Sequence, residues 1–281
     1  ISSKDYKETN PNKVPIEFVH REDVIKLFRI IDGTKKKGEA RKILSILNIP
    51  QIKTGNMCKN ILIALPFKDS CDCLAKLLKE EDPENPGEKL FKLLGEYEII
   101  NAAGRRDTTE NPINRIRGLG EKTITLTSDM LLTGVTVEPW DTIFYMKDGK
   151  SPEPYDQAKF RVQSPYINKL PIFDKSILSG AKPPVLKQDL KPQTLFVDFL
   201  PTRMLKILDE QMYNERVITG NTSSEILKST PVVVIDGKKM IELDAPGFSD
   251  YCSDMIAKDG GDPGYRRLVK KYHLEAYVKF Y

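Results

Sequence analysis

The run NILIAL at residues 60–65 constrains this chain more than any other feature. After its leading Asn, five apolar residues follow without a break, leaving no polar face for water. Such a run suits a strand buried on both faces, as in parallel sheets covered by helices. The neighbouring segments alternate to match. Residues 71–79 (CDCLAKLLK) have helical spacing, and residues 97–101 (YEIIN) read as a strand. Residues 111–118 read as a short helix, and 122–127 (KTITLT) as a β-branched strand. One helical turn at 130–132 ends at Gly134, and residues 142–146 (TIFYM) form the next strand. A helix over 154–163, a strand over 193–199 and a helix over 202–213, with Thr202 as N-cap, complete the series. Strands alternating with helices imply βα units, a parallel sheet and right-handed crossovers. Ligands of such sheets bind beyond the carboxyl ends of the strands. Function is therefore expected in the loops after Leu65, Asn101, Thr127 and Met146.

At 281 residues the chain has room for roughly two domains. Residues 1–54 read as a polar N-terminal connector, with short amphipathic helices over 24–31 and 40–47. Residues 55–213 carry the α/β pattern, and 214–281 read as a small accessory α+β domain. In that accessory part, 232–235 and 239–243 flank Asp236-Gly237, a hairpin signal. Residues 82–87 (DPENPG) read as a Pro/Gly loop. Residues 168–190 form a Pro-punctuated insertion, too long for an ordinary connection, which marks a lid, a contact surface or a mobile segment. The tail at 265–281 is basic and aromatic; within it the cluster of Tyr265, Arg266, Arg267, Lys270, Lys271 and Tyr272 reads as a basic helix face with core-facing tyrosines, with a clamp on a phosphate backbone as the other reading. The chain opens on Ile1 rather than Met, as a piece of a longer protein would.

Several chemistries are excluded. With 44 Lys+Arg against 40 Asp+Glu, the net charge of +4 leaves no chain-wide footprint for nucleic acid, so such binding must be local. No stretch approaches the roughly 18 apolar residues of a membrane helix. Residues 1–12 are polar and do not read as a secretory signal. The expected setting is cytoplasmic, with Cys58, Cys71, Cys73 and Cys252 as reduced thiols and no zinc site, because Cys71-x-Cys73 lacks a matching second pair. His20 and His273 sit in polar contexts and suggest no catalytic triad. A phosphate-cradling GxxxxGK[ST] loop is missing: Phe144 stands where the first Gly before Gly149-Lys150-Ser151 is required. Asp236-Gly237-Lys238 resembles half of a metal-dependent nuclease site, but its turn chemistry already accounts for it.

One block carries chemistry: TITLTSDMLLTGVTVEPWDTIFYM at 123–146, followed by SPEPYDQAKFRVQ at 151–163. Ser128 and Asp129 leave the carboxyl end of a strand, and Thr133-Gly134 allows a close backbone approach. Gln157 and Arg161, four apart on a helix, share one face that can point at the same crevice.

This block resembles the second RecA-like motor domain of superfamily 2 helicases and translocases, over residues 60–213. SDMLLTGVTVEPWDTIFY resembles motif V, whose usual form is TDxxxxGxDxP before a strand. YDQAKFRVQS resembles motif VI, usually QxxGRxxR. YEIINAAG resembles the preceding strand with its terminal Gly104. Within the superfamily the block most resembles restriction-enzyme motor subunits and related DNA translocases. The resemblance implies a RecA-like fold and an ATP site completed across a cleft with a P-loop domain absent from this chain. That absent domain would hold most of the ATP and the Mg²⁺. By the same resemblance, Gln157 and Arg161 are catalytic and face the nucleotide phosphates, a task suited to a permanently charged, two-pronged guanidinium. Asp129 and Gly134 couple the nucleotide cleft to the nucleic-acid groove, while Gly104, Ser128 and Thr133 contact nucleic acid, expected to be double-stranded DNA. Three positions depart from the pattern: Phe160 replaces Gly, Ser164 replaces the second Arg, and Thr136 replaces an acid. The implied function is the C-terminal motor half of an ATP-dependent helicase or translocase, in a restriction-modification setting. The alternative is a non-catalytic nucleic-acid or protein binding module on the same scaffold.

Overall fold

The computed structural model describes residues 17–34, 46–54, 57–103, 114, 116, 122–128, 131–132, 136–147, 152–171, 185–199, 207, 211, 214–229, 232–235, 240–242, 244 and 276–280. Along the chain come helices α1 (Arg21–Asp32) and α2 (Pro50–Thr54), strand β1 (Asn60–Ala64), and helix α3 (Lys68–Leu77). Strands β2 (Glu81–Asp82), β3 (Asn85–Lys89), β4 (Glu98–Asn101), β5 (Thr123–Thr127) and β6 (Thr142–Tyr145) follow. Next are helix α4 (Pro152–Gln163), strands β7 (Ile167–Pro171), β8 (Val185–Asp189) and β9 (Leu195–Asp198), and helix α5 (Ser223–Ser229). Strands β10 (Val232–Ile235), β11 (Met240–Glu242) and β12 (Ala276–Phe280) close the chain.

The apolar run behaves as its pattern requires. β1 lies at the centre of a parallel sheet of order β9-β6-β1-β5-β4, and every residue of it is buried. Successive strand residues face opposite sides of a sheet. Ile61 and Ile63 therefore join one core with Ile124, Leu126 and Phe144, against α1 and α3. Leu62 and Ala64 join a second core with Ile143, Tyr145, Phe196 and Trp140, against α4. Two cores on two faces are what an α/β sheet with helices on both sides demands.

α1 forms because Val24, Ile25, Phe28 and Ile31 recur on one face, and it stops at Gly33, whose φ of 81° is left-handed and open to glycine. Its last residue, Asp32, accepts the backbone N–H groups of Lys92, Leu93 and Leu94 at 3.0, 2.8 and 2.6 Å. That carboxylate fixes α1 to the turn leading into β4.

One expectation is corrected, and two segments gain strands that their sequence did not assign. Residues 82–87 are not a plain loop: β2 and β3 pair antiparallel there, with Asn85 held to Asp82 by a 2.9 Å side-chain bond. The long insertion contains a second antiparallel pair, β7 with β8. Within the C-terminal tail, 276–280 form a strand paired with β9, while the Tyr265 to Tyr272 cluster lies outside the described residues. The expected hairpin of β10 and β11 is present, and β12 lies between β10 and β9, so these strands continue the main sheet as antiparallel members. Most of the helices expected at 40–47, 111–118 and 202–213 lie outside the described residues, as do Asp236 to Lys238.

Candidate functional site

The carboxyl ends of the central strands are in step. Leu65 N donates to Thr127 O at 2.8 Å, Met146 N to Ala64 O at 2.9 Å, and Ala102 N to Leu126 O at 2.9 Å. The loops expected to carry function therefore leave from neighbouring points on one edge.

The segment leaving β5 is held from three sides. Leu131 and Leu132 are buried in the second core, so the turn is anchored by its side chains. Thr127 Oγ1 accepts the N–H of Leu131 at 3.4 Å, the long bond of a turn closed by a hydroxyl. Lys147, just beyond β6, donates from Nζ to the carbonyl of Ser128 at 2.8 Å. Arg161, on α4, donates from Nε to the carbonyl of Leu132 at 2.9 Å. Two cations thus grip the backbone on either side of residues 129–131.

α4 is placed to make that contact by its apolar face. Tyr155, Ala158 and Val162 are buried in the second core. Tyr155 packs on Phe196 with ring centroids 4.8 Å apart and edge-on to Tyr145 at 5.3 Å. Lys159 Nζ reaches Gln211 Oε1 at 2.8 Å, and Gln211 returns a 2.6 Å bond to Asp156, so a second fixed point holds the outer side of the helix.

The expected site residues divide. Arg161 and buried Ser128 stand at the same segment, joined to it through Leu132 and through the Ser128 carbonyl. Gln157 instead turns back along its helix, donating to Glu153 Oε1 at 3.3 Å. Asp129, Thr133, Gly134 and Gly104 lie outside the described residues. Phe160, where motif VI usually has Gly, is 63% exposed, so its bulk burdens no packing. Thr127 and Lys147 escape the sequence reading. The alternation of KTITLT holds a signal for Thr127, but nothing local marks Lys147.

A second polar cluster sits at the opposite, amino end of the sheet. Asp141 accepts the backbone N–H groups of Lys59 and Asn60 at 2.9 and 3.2 Å and the Thr142 hydroxyl at 2.7 Å. Burial raises its carboxyl to about 6. Lys191 is also buried; it caps the carbonyls of Glu138 and Trp140 at 2.8 and 2.9 Å, and burial lowers its ammonium to about 8. Burial, with Asp141 nearby, holds the Cys58 thiol far above its ordinary range, which makes it an inert structural group rather than a nucleophile. The cluster lies away from the carboxyl ends where such sheets bind ligands, and every polar contact in it secures a strand start.

Among the described residues no group of three His, Cys, Asp or Glu could hold a metal ion. No helix among them is long and apolar enough to cross a membrane.

Comparison with known proteins gives one informative likeness. The chain is 26% identical over 246 residues to a Mycoplasma pneumoniae protein provisionally named as the C-terminus of a type II restriction enzyme and methyltransferase. The alignment covers 85% of this chain and 30% of that protein, so the chain spans about a third of its relative's length. No family model matches. No solved structure matches.

Proposed function

We propose that this chain is the C-terminal motor half of an ATP-dependent DNA translocase or helicase associated with restriction-modification. The observation that carries the reading is the Arg161 Nε bond to the Leu132 carbonyl at 2.9 Å. It joins the helix resembling motif VI to the segment resembling motif V, on a parallel α/β sheet. The restriction-enzyme likeness supplies the DNA setting. On this reading Arg161 holds phosphate oxygens of ATP, and its guanidinium balances the charge that develops during phosphoryl transfer. The bond to Leu132 fixes the plane of that guanidinium and ties it to the loop that contacts nucleic acid. Gln157 joins it by releasing Glu153 when nucleotide arrives. ATP supplies the phosphoryl group, and the P-loop domain supplies most of its binding and the Mg²⁺ site.

Arg161→Ala in the native protein tests this. DNA-stimulated ATP turnover is expected to fall by about 10³-fold or more, the scale seen on removing an arginine finger, with duplex affinity unchanged. Unchanged turnover, or ATP and DNA affinity reduced in equal measure, would sink the reading. Turnover by the 281-residue chain alone, abolished by Lys150→Ala, would also contradict it.

A further inference from the structure

Lys147 holds the exit of β5 in a way that the Arg161 contact leaves unused. It directly follows Met146, whose N–H closes on Ala64 O at 2.9 Å, so its backbone is fixed at the end of β6. Its Nζ donates to the Ser128 carbonyl at 2.8 Å, just past the end of β5. These two strands are not neighbours. β1 lies between them and pairs with both. Neighbouring strands stand about 4.8 Å apart, so the two exits are separated by roughly 10 Å. The half-buried Lys147 therefore carries its ammonium across the exit of β1 to reach its acceptor.

The choice of acceptor is informative. Thr127 O, the last carbonyl of β5, already accepts Leu65 N at 2.8 Å. Ser128 O is the next one along, the first beyond the parallel ladder. A bond from an ammonium is stronger than one between neutral groups, and holding a flexible lysine stem in one geometry forfeits rotamer freedom. That cost is met here to order one further residue past the sheet, in the segment assigned above to nucleic acid. Arg161 holds the other end of the segment at Leu132 O, 2.9 Å away, and does so from α4. The two ends are thus fixed by different elements.

From this geometry we infer that Lys147 is a positioning residue for duplex DNA, acting through the Ser128 carbonyl. It sets where Ser128 and the residues behind it meet the duplex, while Arg161 serves the nucleotide from the opposite end. The inference rests on the motor reading. Because Lys147 acts through the backbone, it is not itself a phosphate contact.

The experiment is fluorescence anisotropy of the native protein with a labelled 30-base-pair DNA duplex across a salt series, beside DNA-stimulated ATP turnover. Lys147→Met keeps the stem and removes the donor. It is expected to weaken duplex binding about tenfold, the worth of one bond from a charged donor. The duplex concentration for half-maximal stimulation is expected to rise by the same factor, while maximal turnover falls by less than about twofold, the reverse of the Arg161→Ala pattern. The slope of log affinity against log salt is expected to stay unchanged. Lys147→Arg keeps a charged donor and is expected to bind within about twofold of the parent. A slope reduced by about 0.9 would make Lys147 a direct phosphate contact and overturn the inference. An Arg variant as weak as the Met variant overturns it, since a charged donor would then not be what matters. So does a Met variant that melts about 5 °C or more below the parent, because its weaker binding would then belong to the fold. A parent that binds duplex beside a Met variant that binds equally well overturns this inference alone. A parent that binds no duplex removes the motor reading and this inference with it.

Discussion

Asp141 shows how a single residue ties this sheet together and what that costs. One carboxylate closes the starts of β1 and β6 by accepting two backbone N–H groups and a hydroxyl. Burial raises its carboxyl to about 6, above the ordinary value near 3.9. The folded state therefore binds more protons than the unfolded one between about pH 4 and pH 6. Stability falls as pH rises through that window and levels off above it. At about 1.4 kcal/mol per pH unit, the loss approaches 3 kcal/mol. Lys191 works in the other direction: lowered to about 8, it adds stability as pH rises from there towards about 10.4. Asp141→Asn keeps a carbonyl oxygen for both N–H groups and abolishes the ionisation. Denaturant midpoints measured from pH 4 to 6 are expected to decline in the parent and stay flat in the variant. A decline of equal steepness in both would assign the effect to another group.

Among the elements, α4 decides whether Arg161 meets its loop. The helix is seated by Tyr155 against Phe196 and Tyr145 rather than by its own propensity. Phe196 is fully buried between the two tyrosines, with ring centroids 4.8 and 5.9 Å away. Phe196→Ala should cost about 3–5 kcal/mol, the range for large aromatic truncations in cores. Phe160→Ala, on the exposed side of α4, should stay within about 0.5 kcal/mol. Chemical denaturation of the two variants checks this; comparable losses would mean that α4 packs through the wrong face. Much of this element is legible in the sequence. Spacing supplies the helix and its i, i+4 pair, but not the division of Gln157 from Arg161. Both residues share a face, and only the position of the 131–132 turn gives Arg161 an acceptor and leaves Gln157 to Glu153.

At the scale of the whole molecule, the C-terminal strand is the join. β12 pairs with β9 on one side and β10 on the other, both antiparallel, so it links the hairpin to the parallel sheet. Removing residues 276–281 would leave β9 with an open edge and the hairpin unattached, and open edges invite pairing between molecules. The truncated chain is expected to melt at least about 5 °C lower, equivalent to about 2 kcal/mol at this size, and to scatter more light on heating. A calorimetric trace matching that of the full chain would show that β12 contributes nothing to the sheet.

The sequence by itself determined the α/β class, the central strand and most element positions. These follow from local pattern: an unbroken apolar run must bury both faces, and a 3.6-residue stripe must bury one. It also singled out Arg161 and Gln157 as the candidates for phosphate chemistry, through their resemblance to a known motif order. Only the tertiary structure decided the neighbours. Asp32 reaches across about 60 residues to cap 92–94, Lys147 reaches back 19 to Ser128, and Arg161 reaches back 29 to Leu132. Hydrogen-bonding and charge partners of this kind are fixed by where strands align in space, and no period in the chain encodes that alignment.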